Sequence, residues 1–261
     1  MLTFLKALPL AIVLLTVSSS DDPQIIIKPT PANFNMSARS TGRFVTSQDG
    51  TRIFAEARGD ASKPPVVFIH GFGLGATAFD EIFNDPIWVS QVYMIRYDTR
   101  GHGRSDKPTD AASWASERLA QDFDAVAQSY QLSRTHIADI LSFHPADYLS
   151  GIIYDAAIPD MADLLTVSSP RRLATQFVLN RTQSATGLLN AGRSGQLSLL
   201  AIFGEEDKLV QKQPALDVIK GWKKLTVATL PKAEHFTWIS QPVLFRTTVL
   251  QWISEQLKQG I

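Results

Sequence analysis

The stretch Pro64–Gly73, PPVVFIHGFG, is a continuous apolar run that ends in glycines. A run with no polar alternation is covered on both faces, as a strand inside a parallel sheet must be. The form returns at Val92–Pro108, VYMIRYDTRGHGRSDKP. Three more stretches read as strands of this kind: Ser150–Asp160 (SGIIYDAAIPD), Gln196–Val210 (QLSLLAIFGEEDKLV) and Lys223–Phe236 (KKLTVATLPKAEHF). Few arrangements can bury several such strands at once, and a mainly parallel sheet sheathed by helices is the one their spacing predicts.

The segments between them fit that reading. Ser113–Leu132 carries Leu119, Phe123, Val126 and Tyr130 at helical spacing, with Ser113 and Ser116 both suited to cap it. Pro242–Leu257 reads as an amphipathic closing helix. Gly42–Asp60 is two apolar runs around Gln48-Asp49-Gly50, which predicts a hairpin. Met161–Gly195 breaks the alternation, with short helix-like patches between polar residues, and reads as a small lid. The expected class is therefore α/β, with right-handed crossovers and function gathered beyond the carboxyl ends of the strands.

Composition narrows the functional classes. The 261 residues suit one such domain, at about 41–261. Lys+Arg and Asp+Glu number 25 each, so no basic field speaks for nucleic acid. With no cysteine there is no disulfide, thiol nucleophile or thiolate metal site. No phosphate-binding loop, dinucleotide fingerprint or clustered metal ligands are visible, so no cofactor is expected. At the N-terminus, Lys6, the apolar run Ala7–Val17 and three serines predict a signal peptide over 1–20. An uncleaved anchor is the alternative, although the run is shorter than the roughly 20 residues of a spanning helix. The polar segment Asp21–Ser40 reads as a linker. The expectation is a secreted or secretory-pathway protein that meets a membrane only if the leader stays. The sequons at Asn35 and Asn180 matter only in that compartment.

Three places could carry chemistry. In His70-Gly71-Phe72-Gly73 the glycines let backbone N–H groups approach a developing oxyanion, with Phe72 as donor; a tight turn needing positive φ explains them as well. Asp207 follows Gly204 at a strand end, where a carboxylate can orient an imidazole, or simply belong to an acidic solvated loop with Glu205 and Glu206. His235 follows the last strand and, taken alone, is only a loop histidine.

Their order resembles the α/β-hydrolase family: strand–HGFG, strand–GHGRSDKP, strand–GEEDKLV, strand–AEHF, over about Gly42 to Leu257. The nearest look is to the branch of small esterases, perhydrolases and non-haem haloperoxidases. The resemblance implies the α/β-hydrolase fold, with Asp207 as acid, His235 as base and Gly71 and Phe72 in an oxyanion hole. It also implies that Gly101–Ser105 is a structural loop, so that Ser105 is not the nucleophile. The family's serine should follow the strand ending near Ala138, on a strained turn with small neighbours. THIADILSFHPADYLSGIIYD, Thr135–Asp155, has no such turn. Asp139 lies between Ile137 and Leu141, Ser142 between Ile140 and His144, and Ser150 between Tyr148 and Ile152. The crossover there is also near the minimum of roughly 10–12 residues. Either a segment was deleted at about Ala138–Asp139 or the coding sequence was joined wrongly there.

Losing the nucleophile of such a triad costs on the order of a millionfold in turnover. The sequence therefore predicts a hydrolase relative, inactive or nearly so, whose full-length kin cleave small esters or similar acyl bonds. One alternative is a live hydrolase in which His235 activates water, or Ser184 or Ser194 swings in. The other is a non-catalytic protein that holds a small apolar or ester ligand between the HGFG loop, Trp238 and the lid.

Overall fold

A computed structural model of the chain describes residues 42–70, 74–132, 186–208, 210 and 212–258. The hairpin is present: β1 (Arg43–Thr46) pairs antiparallel with β2 (Arg52–Arg58). Its turn closes by Ser47 N–H to the Thr51 carbonyl and Gly50 N–H to the Ser47 carbonyl. The two apolar runs that follow form β3 (Pro65–Ile69) and β4 (Tyr93–Tyr97), paired parallel, and β2 borders β4 antiparallel. Between them lie the short helices α1 (Asp80–Asn84) and α2 (Pro86–Gln91). Pro86 opens α2, and the Asp85 side chain caps it by accepting from Ile87 N–H at 2.7 Å. The same carboxylate pairs with Arg246.

Helix α3 (Ser116–Ser129) buries Leu119 and Val126 on one face, as their spacing requires. Its capping differs from expectation. The N-cap position is Ala115, without a side-chain cap, and Ser116 is already helical. Ser113 is held instead by Asp110, through its N–H at 2.9 Å and its hydroxyl at 2.7 Å. Further on come α4 (Thr186–Ser194), β5 (Ser198–Gly204), α5 (Lys212–Val218), β6 (Lys224–Leu230), α6 (Thr237–Ser240) and α7 (Pro242–Lys258). Strands β5 and β6 pair parallel over their whole length.

Alternate side chains of β3 and β5 enter opposite layers. Val66, Phe68, Leu200 and Ile202 share one core with Trp88, Phe245, Val249 and Ile253, beneath α2 and α7. Leu199, Ala201 and Phe203 face the other way, against Leu119 of α3, Leu188 of α4, Ala215 of α5 and Trp222. Helices thus cover both faces, which is why these strands read as unbroken apolar runs. The end of the expected lid belongs to this second core. Helix α4 sits on Trp222, where a Cβ at Gly192 would come within 2.5 Å of the ring, so residues 186–194 are part of the body. The expected strand at Ser150–Asp160, the rest of the lid and the N-terminal leader lie outside the described residues. Among the described residues, no helix is long and apolar enough to cross a membrane.

Candidate active site

The carboxyl ends of β5 and β6 bring Asp207 and His235 together. Nδ1 of His235 lies 3.0 Å from Oδ2 of Asp207, although 28 residues separate them in sequence. A carboxylate oxygen can only accept, so the imidazole donates through Nδ1–H, which leaves Nε2 as the lone-pair nitrogen. The other carboxylate oxygen accepts from Val210 N–H at 3.0 Å. The Asp207 side chain is 7% exposed and that of His235 is 23% exposed. The acid is therefore enclosed and fixed at both oxygens, while solvent reaches the imidazole. Sequence reasoning did not find the Val210 contact, because a backbone donor leaves no residue-type signal.

Backbone bonds hold the two loops side by side. Glu205 N–H donates to the Leu230 carbonyl at 3.0 Å and Glu206 N–H to the Ala233 carbonyl at 2.9 Å. Lys232 N–H donates to the Glu205 carboxylate at 3.1 Å, from a left-handed backbone at φ 56°. Beyond the histidine, Glu234 N–H donates to Ser240 Oγ at 3.0 Å. The chain then turns into α6 with Thr237 N–H bonded to the His235 carbonyl.

Gly71 and Phe72, the expected oxyanion donors, lie outside the described residues, but both flanks of their loop are anchored to the exit of β4. On one flank His70 is buried and its Nε2 accepts from Thr99 N–H at 3.0 Å, so its ring proton sits on Nδ1. Its ring meets that of His102 edge-on at 5.1 Å, and His102 Nδ1 lies 3.0 Å from the Arg100 carbonyl. Burial holds the His102 pKa below the usual imidazole value. On the other flank Asp98 accepts from Ala76 N–H at 2.6 Å and from Arg104, at both N–H and Nε, at 2.9 Å. Burial alone would raise the Asp98 pKa. The hydrogen bonds from Arg104 and Ala76 outweigh it, so the group stays below the ordinary carboxylate value.

Trp238 is placed differently from the expectation. It is buried in the first core against Phe79, Phe236 and Phe245, and its indole N–H donates to the Ala78 carbonyl at 2.8 Å. Its polar atom is thus engaged by Ala78 and its ring packs within the core behind the dyad. The aromatic series Phe79–Trp238–Phe236–His235 ties the glycine-loop side to the dyad side.

Neither described serine of interest can attack a substrate. Ser105 is 1% exposed, its hydroxyl donates to the Asp98 carbonyl and it accepts from Phe54 N–H at 2.9 Å. Ser194 ends α4 just before β5 begins, whereas Asp207 lies beyond the far end of that strand. Seven strand residues span about 20 Å, so Ser194 is at the wrong end of the sheet. Asp139, Ser142, Ser150 and Ser184 lie outside the described residues. No group of three or more His, Cys, Asp or Glu among the described residues is placed to hold a metal.

No family model matches the chain. It is 37% identical over 84 residues to the probable oxidoreductase EphD of Mycobacterium tuberculosis, a match over 32% of this chain and 14% of that protein. It is 44% identical over 89 residues to a non-heme chloroperoxidase of Streptomyces lividans, over 34% of this chain and 31% of that protein. The matches thus span less than a third of the length of either relative. Among solved structures, a haloalkane dehalogenase variant from Bradyrhizobium elkanii superposes with a TM-score of 0.60 at 17% identity, over 83% of this chain and 97% of that one. The esterase RhEst1 from Rhodococcus superposes with a TM-score of 0.59 at 19% identity, over 82% and 98%.

Proposed function

We propose that this chain, which has the α/β-hydrolase fold, keeps the acid–base half of a hydrolase site and lacks the nucleophile that would complete it. In this reading Asp207 orients His235 and stabilises its cation, and the imidazole Nε2 is the proton acceptor. The observation that carries it is the 3.0 Å contact between Nδ1 and Oδ2. The esterases among its structural neighbours and the absence of a Gly-x-Ser-x-Gly segment support the two halves of the reading. Without that segment the N–H that follows the serine is also missing from the oxyanion hole. Turnover of short acyl esters is then negligible, and a small apolar or ester ligand is bound without being cleaved.

The test is a covalent serine-hydrolase probe, together with hydrolysis of a short acyl ester by the purified chain and by its His235→Ala variant. The expected result is no labelling and equal, background hydrolysis. Labelling of the unmodified chain overturns the proposal. A second reading rests on the partial exposure of His235: an imidazole held by a carboxylate and open to solvent can activate water directly. Hydrolysis well above the His235→Ala background with no labelling selects that reading.

A further inference from the structure

We infer that Gly204 is a positioning residue for the Asp207–His235 dyad: its missing side chain is what lets the two site loops approach to hydrogen-bonding distance. Gly204 is the last residue of β5, three before the acid. A Cβ at this position would lie 2.8 Å from the carbonyl carbon of Ala233 and closer still to the carbonyl oxygens of Ala233 and Glu234. Those atoms belong to the loop that carries His235, and they are backbone, so they cannot rotate aside as a side-chain tip can. Separations below 3.0 Å from a Cβ are essentially never met.

The close approach does more than fill space. Gly204 begins the turn that holds the acid, through Asp207 N–H to its own carbonyl at 3.3 Å. Two residues on, Glu206 N–H reaches the same Ala233 carbonyl that a side chain on Gly204 would strike. Any side chain here must therefore drive the 233–235 segment away from the 204–207 turn. Nδ1 and Oδ2 now stand 3.0 Å apart, and a shift of the order of 1 Å carries them beyond a hydrogen bond. The strand is not what demands the glycine: Gly204 takes no left-handed backbone, unlike Gly195 at φ 85° or Gly221 at φ 88°. The requirement comes from the neighbouring loop.

This inference rests on reading Asp207 and His235 as the site's dyad, so its test uses a readout independent of turnover. The full chain is labelled with nitrogen-15 at histidine and tryptophan, and the His235 Nδ1 proton is assigned by its loss in His235→Ala and its displacement in Asp207→Ala. In Gly204→Ala that resonance is expected to shift or vanish. The indole N–H signals of Trp222, bonded to the Leu197 carbonyl, and Trp238, bonded to Ala78, should stay in place on the two sides of the sheet. An unchanged His235 resonance in Gly204→Ala overturns the positioning role alone. Absence of a dyad resonance from the unmodified chain overturns the dyad, and the proposed function with it. If Gly204→Ala loses the indole signals too, Glu205→Ala decides. It removes only the carboxylate that accepts from Lys232 N–H, and the His235 resonance is expected to move. An unmoved resonance there counts against the inference.

Discussion

Arg100 and Asp122 meet in direct two-pronged contact: the guanidinium donates to the carboxylate through Nε at 2.7 Å and Nη2 at 2.6 Å. Their side chains are 0% and 1% exposed. The pair fastens the β4 exit loop to α3, and Asp49 in the hairpin turn joins it through Arg100 Nη1 at 2.8 Å. Removing Asp122 strips the fully buried guanidinium of its two-pronged partner and leaves Asp49 as its remaining carboxylate. Asp122→Ala is expected to lower stability by about 3–5 kcal/mol, read from the urea midpoint. The double variant Arg100→Met, Asp122→Leu should lose clearly less. Equal losses in the two would show that the charges are not coupled.

Acid should loosen the same junction. Burial acts to raise the Asp49 pKa, but the Arg100 hydrogen bond and the Thr51 N–H outweigh it and bring it down to about 2. The ordinary aspartate value is about 3.9. A carboxylate depressed on folding adds stability above its unfolded pKa and loses it as pH falls through the folded value. The unfolding free energy is therefore expected to drop between about pH 4 and pH 2. Asp122, raised by burial, works in the opposite sense. In Asp49→Asn the drop should be shallower. Parallel curves for the two proteins would remove Asp49 from the account.

Two glycines of the β4 exit should differ sharply from one in the hairpin turn. Gly103 has φ 46° and a Cβ there would run into the Asp98 carboxylate; Gly101 has φ 82° and a Cβ there would meet the Trp114 ring. Gly50 has φ 87°, yet nothing lies within 4 Å of a Cβ. Gly50→Ala should cost only the left-handed backbone penalty, about 1–2 kcal/mol. Gly103→Ala should cost more, because Asp98 must also give up its bonds to Ala76 and Arg104. Thermal midpoints of the two variants check the ranking.

Trp238→Phe keeps an aromatic ring in the core but leaves the Ala78 carbonyl without its indole donor. The expected loss is about 1–3 kcal/mol, measured by chemical denaturation. A variant as stable as the unmodified chain would show that this tie contributes nothing.

Strands β3 and β5 were readable from sequence because burial on both faces makes Val66–Ile69 of the one and Leu199–Phe203 of the other apolar without a break. Asp207 was readable from its place behind such a strand, and His235 from its order after β6, which, unlike the buried strand expected there, is exposed or half-buried at every position but Leu230. What could not be read depends on distance in the chain. The partner of the Trp238 indole is 160 residues away, and Arg100 meets Asp49 across 51. The cap of α3 was misjudged because two serines nearby suit the role, whereas Ser113 is committed to Asp110. Gly204 did leave a signal, a glycine three residues before the acid, but its meaning lies in the loop opposite.

Two of the bonds that join the 205–206 turn to the 230–233 turn run from main chain to main chain. The spacing of acid and histidine is thus set largely through the backbone, with the Glu205 carboxylate on Lys232 N–H as the side-chain stitch beside it. A residue such as Glu206, which joins this lacing through its N–H, can change in charge without undoing it. The rim of the site can change its electrostatic character while the dyad at its centre keeps its spacing.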